Sequence, residues 1–115
     1  MNLMGLAFKP NVQDLSNSKI IDVVKELETF GVEVFIYDPI VKADDAQQRY
    51  GVQLCSWEEL PLSDAVIMAV NHRVFLEKGA QYFLGKLKNG GCFVDLHSAF
   101  NAEEIRGQGF DVWRL

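Results

Sequence analysis

Hydrophobic residues along the chain follow two patterns, short apolar runs and stretches in which they recur three and four positions apart. The runs predict buried strands at residues 3–7, 32–37, 52–55, 65–70, 92–96 and 110–115. Helical spacing is clearest from Ser18 onward, in the apolar residues Ile20, Ile21, Val23, Val24, Leu27 and Phe30. Shorter helices are predicted at residues 42–50, after Asn71, and at residues 101–106.

Polar residues and glycines predict where these segments begin and end. Side-chain oxygens at a helix start satisfy free backbone N–H groups, and glycine tolerates the left-handed conformation that ends many helices. The predicted N-caps are Ser16 or Asn17 for the first helix and Asn71 for the third. The predicted ends are Gly31, Gly51, the pair Asp38-Pro39 and the tripeptide Asn89-Gly90-Gly91.

Strands that alternate with helices predict an α/β fold, a Rossmann-like, mostly parallel sheet with helices on both faces. No internal repeat or linker interrupts the pattern, so residues 1–115 are expected to form a single domain. Ligands of such sheets bind at the carboxyl ends of the strands. The residues expected at that rim are Phe8, Lys9, Asp38, Asn71, His72, His97 and Ser98.

Composition narrows the classes of function. The chain has 115 residues, of which 49% are hydrophobic, and a formal charge of −5. That charge argues against a general nucleic-acid binder, although a local cationic site for a phosphate remains compatible with it. No apolar run reaches the roughly 20 residues that span a bilayer. No basic segment followed by a hydrophobic signal core begins the chain, so a cytoplasmic location is the default expectation.

Several familiar kinds of site are absent from the sequence. The first strand is not followed by GxGxxG, because Gly5 is the only glycine near the turn, so no complete NAD site is expected. Asp38 is placed either to bind a ribose or to open a turn with Pro39, and turn chemistry is favoured. Cys55 and Cys92 lie in apolar surroundings and are interpreted as structural thiols rather than nucleophiles.

The two histidines and the lysine after the first strand leave alternatives open. His72 and His97 share no metal-ligand spacing with any Cys or Asp, so no metal site is expected. His97 is the better functional candidate, whereas His72 is expected to shape a turn. Lys9 suits an anionic ligand such as a phosphate, but from spacing alone a solvated loop lysine is the favoured interpretation.

Several blocks in a fixed order carry a resemblance to a known family. They are Gly5-Leu6-Ala7-Phe8-Lys9-Pro10-Asn11, Asp14-Leu15-Ser16-Asn17-Ser18, Val34-Phe35-Ile36-Tyr37-Asp38-Pro39, Tyr50-Gly51-Val52, Ala65-Val66-Ile67-Met68-Ala69-Val70-Asn71-His72 and Gly90-Gly91-Cys92-Phe93-Val94-Asp95. Together they resemble the carboxyl-terminal UDP-binding domain of the UDP-glucose/GDP-mannose dehydrogenase family. The likeness is nearest to the branch that oxidises UDP-N-acetylhexosamines for bacterial surface polysaccharides.

The resemblance implies a UDP-sugar 6-dehydrogenase that converts a sugar C6 alcohol to a carboxylate by two hydride transfers to NAD. In such enzymes an amino-terminal domain binds NAD and a central helical region holds the catalytic cysteine. Both would lie outside this chain, which is expected to be a fragment and to be inactive alone. The partners implied are the UDP-sugar and those two domains, in a homodimeric enzyme.

Carried over by position, the resemblance assigns substrate binding to Phe8, Lys9, Asn11, Asp14 and His97, and cofactor binding to Ser16. Two of these positions depart from the family. Ser16 stands where an arginine usually reaches the NAD phosphates, and His97 stands where many members have a more basic residue. These departures favour an alternative, a stand-alone Rossmann-like nucleotide-binding or regulatory module without catalysis. A degenerate domain that serves as a dimer surface is a third alternative.

Overall fold

The computed structural model describes residues 1–114, which form one parallel sheet of five strands with helices on both faces. The strands are β1 (Asn2–Met4), β2 (Phe35–Tyr37), β3 (Ser63–Met68), β4 (Leu87–Asp95) and β5 (Asp111–Arg114). The helices are α1 (Lys19–Thr29), α2 (Ala43–Tyr50), α3 (Arg73–Lys78), α4 (Ala80–Leu84) and α5 (Ala102–Arg106). The strand order β2-β1-β3-β4-β5, with every pairing parallel, confirms the predicted Rossmann-like fold.

The sheet separates two hydrophobic clusters, because successive side chains of a strand point to opposite faces. Leu3 of β1 packs in the cluster that α1 and α2 cover, whereas its neighbour Met4 packs in the other cluster. The second cluster is built around the rings of Phe75, Phe83 and Phe93, and α3, α4 and α5 cover it. Burial on both faces explains why the central strands are continuous apolar runs.

The first strand is shorter than predicted, and glycine is the reason. A strand over residues 3–7 was expected, but β1 ends at Met4 and Gly5 turns the chain with a φ of 100°. Leu6 and Ala7 remain buried, but their N–H groups donate to a side chain instead of a strand partner. The apolar run therefore reports burial correctly and strand length incorrectly.

Three other strand predictions also need correction. β2 begins at Phe35, three residues later than expected, because Val32 still takes part in the turn that closes α1, where its N–H donates to Leu27 O. Residues 52–55 form no strand, and only Leu54 pairs, in a single bridge to Ile36. The strand expected at residues 65–70 is β3, which runs from Ser63 to Met68.

The tripeptide Asn89-Gly90-Gly91 lies inside β4 and does not end a helix as predicted. Ser63 pairs with Leu87 and Ala65 pairs with Cys92, so two steps along β3 face five steps along β4. The extra residues bulge at Gly90, whose φ is 75°. The apolar half of β4, from Cys92 onward, is the part that the sequence predicted.

Helix ends follow the glycine predictions better than the cap predictions. Gly31 and Gly51 are left-handed, as expected. The N-cap position of α1 is Ser18, not Ser16 or Asn17, and its hydroxyl donates to Leu6 O at 2.8 Å. The N-cap position of α3 is His72, not Asn71. The expected helix after Asn71 is two helices separated at Gly79.

The helix and the strand predicted near the carboxyl terminus of the chain are both present among the described residues. The side-chain oxygen of Asn101 accepts the N–H groups of Glu103 and Glu104 at the start of α5. The last strand, predicted at 110–115, is β5, and Leu115 lies outside the described residues. Within residues 1–114 no helix combines the length and the apolar character that crossing a bilayer requires.

Candidate functional site

A cavity of about 550 Å³ opens where the carboxyl ends of β1, β3 and β4 meet the start of α1. This is the rim at which ligands of parallel sheets bind. Three loops and the first residues of α1 line it: Ala7, Phe8, Lys9 and Pro10; Ala69, Val70 and Asn71; Leu96 and His97; and Asn17, Lys19 and Ile20. The structure thus brings together Phe8, Lys9, Asn71 and His97, which the sequence expected at one rim.

The charge of the cavity lining is of one sign. Lys9, Lys19 and His97 are its ionisable residues, and no Asp or Glu belongs to the lining among residues 1–114. A concave site lined by basic side chains concentrates anions even in a protein of negative net charge. The lining therefore favours an anionic ligand over a cationic or neutral one.

Lys19 is a lining residue that the sequence analysis missed. It is the first residue of α1 and is exposed. A lysine at a helix start looks like an ordinary solvated charge in the sequence. The available signal was topological, since the helix that follows the first strand of a parallel sheet begins at the ligand rim.

Apolar side chains make up the rest of the walls. Phe8 is 50% exposed although it follows a buried segment, and Ile20, Val70 and Leu96 line the same space. The N–H of Phe8 donates to Asp14 O at 2.9 Å, which fixes the backbone from which the ring projects. An exposed aromatic ring beside a cationic site suits a ligand that combines a planar or apolar part with a charged part.

His97 is fixed through one ring nitrogen. Its Nε2 lies 3.0 Å from the carbonyl oxygen of Ala69, at the end of β3. A carbonyl oxygen only accepts hydrogen bonds, so Nε2 carries the proton and donates. The other nitrogen, Nδ1, then accepts a hydrogen bond when the ring is neutral and donates one when it is charged.

Two of the predicted substrate residues, Asn11 and Asp14, do not line the cavity. The side-chain oxygen of Asn11 accepts the N–H of Arg73 at 2.6 Å, and its own N–H donates to His72 Nδ1 at 2.9 Å. Asp14 accepts the N–H of Ser16 at 2.8 Å, and hydrogen bonds from Ser16 lower the pKa of Asp14. In this structure both residues shape the loop that carries Lys9.

Ser16, the predicted cofactor residue, also lies outside the cavity lining. Its hydroxyl oxygen is 3.4 Å from Nη1 of Arg49, a residue of α2 that pairs with Asp45 at 3.2 Å. The cation that contacts Ser16 is therefore Arg49, which belongs to α2 and not to the loop of Ser16.

Asp38 and His72 were expected at the rim but are buried beneath it. Asp38 Oδ1 accepts the N–H groups of Ile40 and Val41 at 2.8 and 3.1 Å, so the favoured turn interpretation is correct for this oxygen. Asp38 Oδ2 accepts the N–H groups of the segment that leaves β1, and it lies 2.9 Å from His72 Nε2. His72 thus does more than shape its own turn, which the sequence did not predict.

The electrostatics of Asp38 follow from these contacts. Burial alone would raise the pKa of its carboxyl, but hydrogen bonds from His72 and from the N–H of Leu6 outweigh burial and lower the pKa below its ordinary value. Asp38 is therefore an anion in the folded protein near neutral pH.

Cys55 and Cys92 are free thiols and half-buried. Burial raises the pKa of both, and Glu59 and Asp111 respectively add to that effect. A raised pKa keeps sulfur in the unreactive thiol form, in agreement with their interpretation as structural residues.

Known proteins share sequence and fold with this chain. Residues 2–102 match the sequence profile of the UDP binding domain of the UDP-glucose/GDP-mannose dehydrogenase family. The chain is 31% identical over its whole length to Protein CapL of Staphylococcus aureus, and it covers 27% of that protein. It is 39% identical to the UDP-N-acetyl-D-glucosamine 6-dehydrogenase of Pseudomonas aeruginosa, over 76% of this chain and 21% of the relative.

A relative of the same name from Salmonella typhi is 36% identical over 89% of this chain and 24% of its own length. The chain therefore spans about a quarter of the length of these curated relatives. Among solved structures, that of the UDP-N-acetyl-mannosamine dehydrogenase Cap5O of S. aureus matches 98% of this chain and 25% of its own, with a TM-score of 0.68 and 20% identity. At that identity the match supports the fold.

Proposed function

The chain belongs to the UDP-glucose/GDP-mannose dehydrogenase family, and we propose that it is the UDP-sugar-binding carboxyl-terminal domain of an NAD-dependent UDP-sugar 6-dehydrogenase. The intact enzyme would oxidise the C6 alcohol of its substrate to a carboxylate for surface polysaccharide synthesis. The relatives named UDP-N-acetyl-D-glucosamine 6-dehydrogenase support this reaction class. The domain itself would bind the substrate and carry out no chemistry alone.

The observation that carries the proposal is the single sign of charge in a cavity with apolar walls. A UDP-sugar carries two negative phosphate groups between a planar base and a polar sugar. Lys9 and Lys19 would offset the diphosphate charge, because an ammonium is a compact point charge that contacts phosphate oxygens. Phe8 would cover an apolar face of the ligand, and His97 would bind it through Nδ1.

The residues of this domain do not fit a complete NAD site. The turn after β1 lacks GxGxxG, and the serine assigned to the cofactor offers one hydroxyl that already contacts Arg49. NAD, which accepts the hydride in the proposed reaction, would be held mainly by an amino-terminal domain outside this chain. A central helical domain and a homodimeric assembly complete the proposed enzyme. A cytoplasmic location is proposed with it, because NAD and UDP-sugars are intracellular metabolites.

A titration of the 115-residue chain tests the proposal. Amide resonances are followed by NMR while UDP-N-acetylglucosamine, UDP or NAD is added. We expect saturable shifts for both uridine ligands, concentrated in residues 7–9, 69–71 and 96–97, and no reduction of NAD. Saturable shifts with NAD and none with UDP would overturn the assignment.

A charge-matched pair of variants sharpens this test. Lys19→Met removes a cavity lysine from α1, whereas Lys25→Met removes an exposed lysine from the same helix that does not line the cavity. We expect only the first to weaken binding of the uridine ligands. Equal effects of the two variants would mean that the electrostatic field of the whole protein attracts the ligand and that Lys19 has no specific role in the cavity.

A further inference from the structure

The loop that presents Phe8 and Lys9 to the cavity is anchored at both ends to one buried pair of side chains. At its start, the N–H groups of Leu6 and Ala7 donate to Asp38 Oδ2 at 2.7 and 3.2 Å. These two residues directly precede Phe8. Because Gly5 has already turned the chain out of β1, the carboxylate replaces the strand partner that these N–H groups would otherwise need.

The second anchor lies just after Pro10. Asn11 has a φ of 65°, which non-glycine residues rarely adopt, and its N–H donates to His72 Nδ1 at 2.9 Å. The side-chain oxygen of Asn11 accepts the N–H of Arg73 and so ties the loop to the start of α3. Between the two anchors, residues 8–10 are exposed.

The two anchors meet in a contact of 2.9 Å between Asp38 Oδ2 and His72 Nε2, and neither side chain is exposed. Nδ1 accepts a hydrogen bond from a backbone N–H, so it carries no proton and the proton of the neutral ring is on Nε2. His72 therefore donates to Asp38 with one nitrogen and accepts from Asn11 with the other.

Protonation of His72 would remove this acceptor. An imidazolium has a donor on both nitrogens, so its Nδ1–H would face the N–H of Asn11 and the second anchor would be lost. The groups around the ring are the carboxylate of Asp38, which directly follows β2, the ring of Phe75 from α3 at 5.2 Å between centroids, and the backbone of Asn11. Arg73, the next residue, is exposed.

We propose that Asp38 and His72 are positioning residues for the ligand cavity, and that they hold the Phe8–Lys9 loop in its binding conformation only while His72 is neutral with its proton on Nε2. This inference rests on the proposed function, because it takes the cavity as a UDP-sugar site. It adds two residues that would not touch the ligand. It also adds a loss of ligand affinity at acid pH, which the residues of the cavity lining would not cause. Protonation of His97, which lines the cavity, would strengthen binding of an anion, which is the opposite sign.

The experiment measures the affinity of the chain for UDP-N-acetylglucosamine between pH 7.5 and 5.5. The phosphates of a UDP-sugar are both diesterified and keep their charge over this range, whereas the terminal phosphate of UDP titrates near pH 6. The measurement uses a His97→Asn background, which lacks the ionisable ring of the cavity lining. In it we expect affinity to fall roughly three- to tenfold as pH drops, the effect of losing one hydrogen bond.

Two substitutions of His72 separate its two contacts. In the same His97→Asn background, His72→Asn places an amide oxygen near the position of Nδ1 and removes the ionisable ring, so affinity should become independent of pH. His72→Gln reaches Asp38 with an N–H but offers Asn11 no acceptor, so affinity should be weak and flat across the pH range. The inference would be overturned if the loss of affinity at acid pH persisted in His72→Asn, or if His72→Gln bound the ligand with wild-type affinity. Thermal unfolding at each pH identifies variants that fail to fold.

A readout without ligand keeps this inference separable from the proposed function. In the wild-type chain, the Asn11 amide should be protected from hydrogen exchange at pH 7.5, and that protection should decrease at pH 5.5 more than for amides in β3. Imidazole ¹⁵N shifts should identify the Nε2–H tautomer of His72 at pH 7.5. An unprotected Asn11 amide or the Nδ1–H tautomer would reject the anchor even if UDP-sugars bind. A protected amide with no UDP-sugar binding would reject the site assignment instead.

Discussion

Gly5 and Val70 approach so closely that a Cβ at position 5 would lie 2.6 Å from the Cβ of Val70. The contact joins the end of β1 to the segment that follows β3, and Val70 lines the cavity. Gly5 also has a φ of 100°, which a side chain would strain. The conformation at the entrance of the Phe8–Lys9 loop therefore depends on the absence of a side chain at position 5.

Gly5→Ala should be strongly destabilising. We expect a loss of about 3 kcal/mol in the free energy of unfolding, from backbone strain and from overpacking against Val70. Chemical denaturation measures it. Gly109→Ala is the matched control, because Gly109 has a φ of 93° but open space where its Cβ would be, and its cost should be about 1 kcal/mol. Equal losses would show that the approach to Val70 is not energetically important.

Removal of Lys9 should weaken UDP-sugar binding without affecting the fold. For Lys9→Met we expect roughly a five- to tenfold loss of affinity, the size of one charge-assisted hydrogen bond at a partly solvated site. Calorimetry at low and high salt measures it, and the difference from wild type should shrink as salt screens the lysine. An unchanged affinity would remove Lys9 from the site.

Asp38 should contribute to stability in a pH-dependent way. Its folded-state pKa lies below the ordinary value, so its contribution is present above the unfolded pKa of about 3.9 and is lost as pH falls through the lowered folded value. Asp38→Asn should lower the free energy of unfolding by about 2–4 kcal/mol at pH 7, because an amide N–H₂ would face backbone donors. As pH falls through that lowered folded pKa, the stabilities of the variant and of the wild type should converge. A constant difference across the range would contradict this assignment.

Alkylation should distinguish the two cysteines from a nucleophile. Burial raises the pKa of Cys55 and Cys92, so each should react with iodoacetamide at pH 7.5 more slowly than free cysteine does. Mass spectrometry of the time course measures the two rates. After denaturation both rates should rise to that of the free amino acid. A native rate above that of free cysteine would mean that one thiol is activated.

The sequence predicted those parts of the fold that depend on periodicity. α1 was identified from its apolar spacing, and the central part of β3 was identified from its continuous apolar run. The end of β1 was not, because Leu6 and Ala7 are as apolar as a strand although Gly5 has already turned the chain. An apolar run in a sequence indicates burial, but it does not show whether the buried residues also pair in a sheet.

The candidate site was likewise predicted only in part. Phe8, Lys9 and His97 were placed at one rim by topology, and the structure brings them to one cavity. The anchoring roles of Asp38 and His72 were missed because residues 34 positions apart in sequence gave no local signal of their contact. Asn11 was assigned to the ligand only through the family resemblance, and in this structure its side-chain oxygen accepts the N–H of Arg73.

The bulge at Asn89-Gly90-Gly91 makes β4 a strand in two independent parts. The residues from Cys92 to Asp95 pair with β3 and β5 and lead to His97, whereas the bulged residues 88–90 are exposed on the opposite side of the register shift. Changes in length at Gly90 would thus be absorbed before they reach the pairing that follows. This position is a suitable place to insert a fluorophore or affinity tag, which would report on the domain from outside the cavity lining.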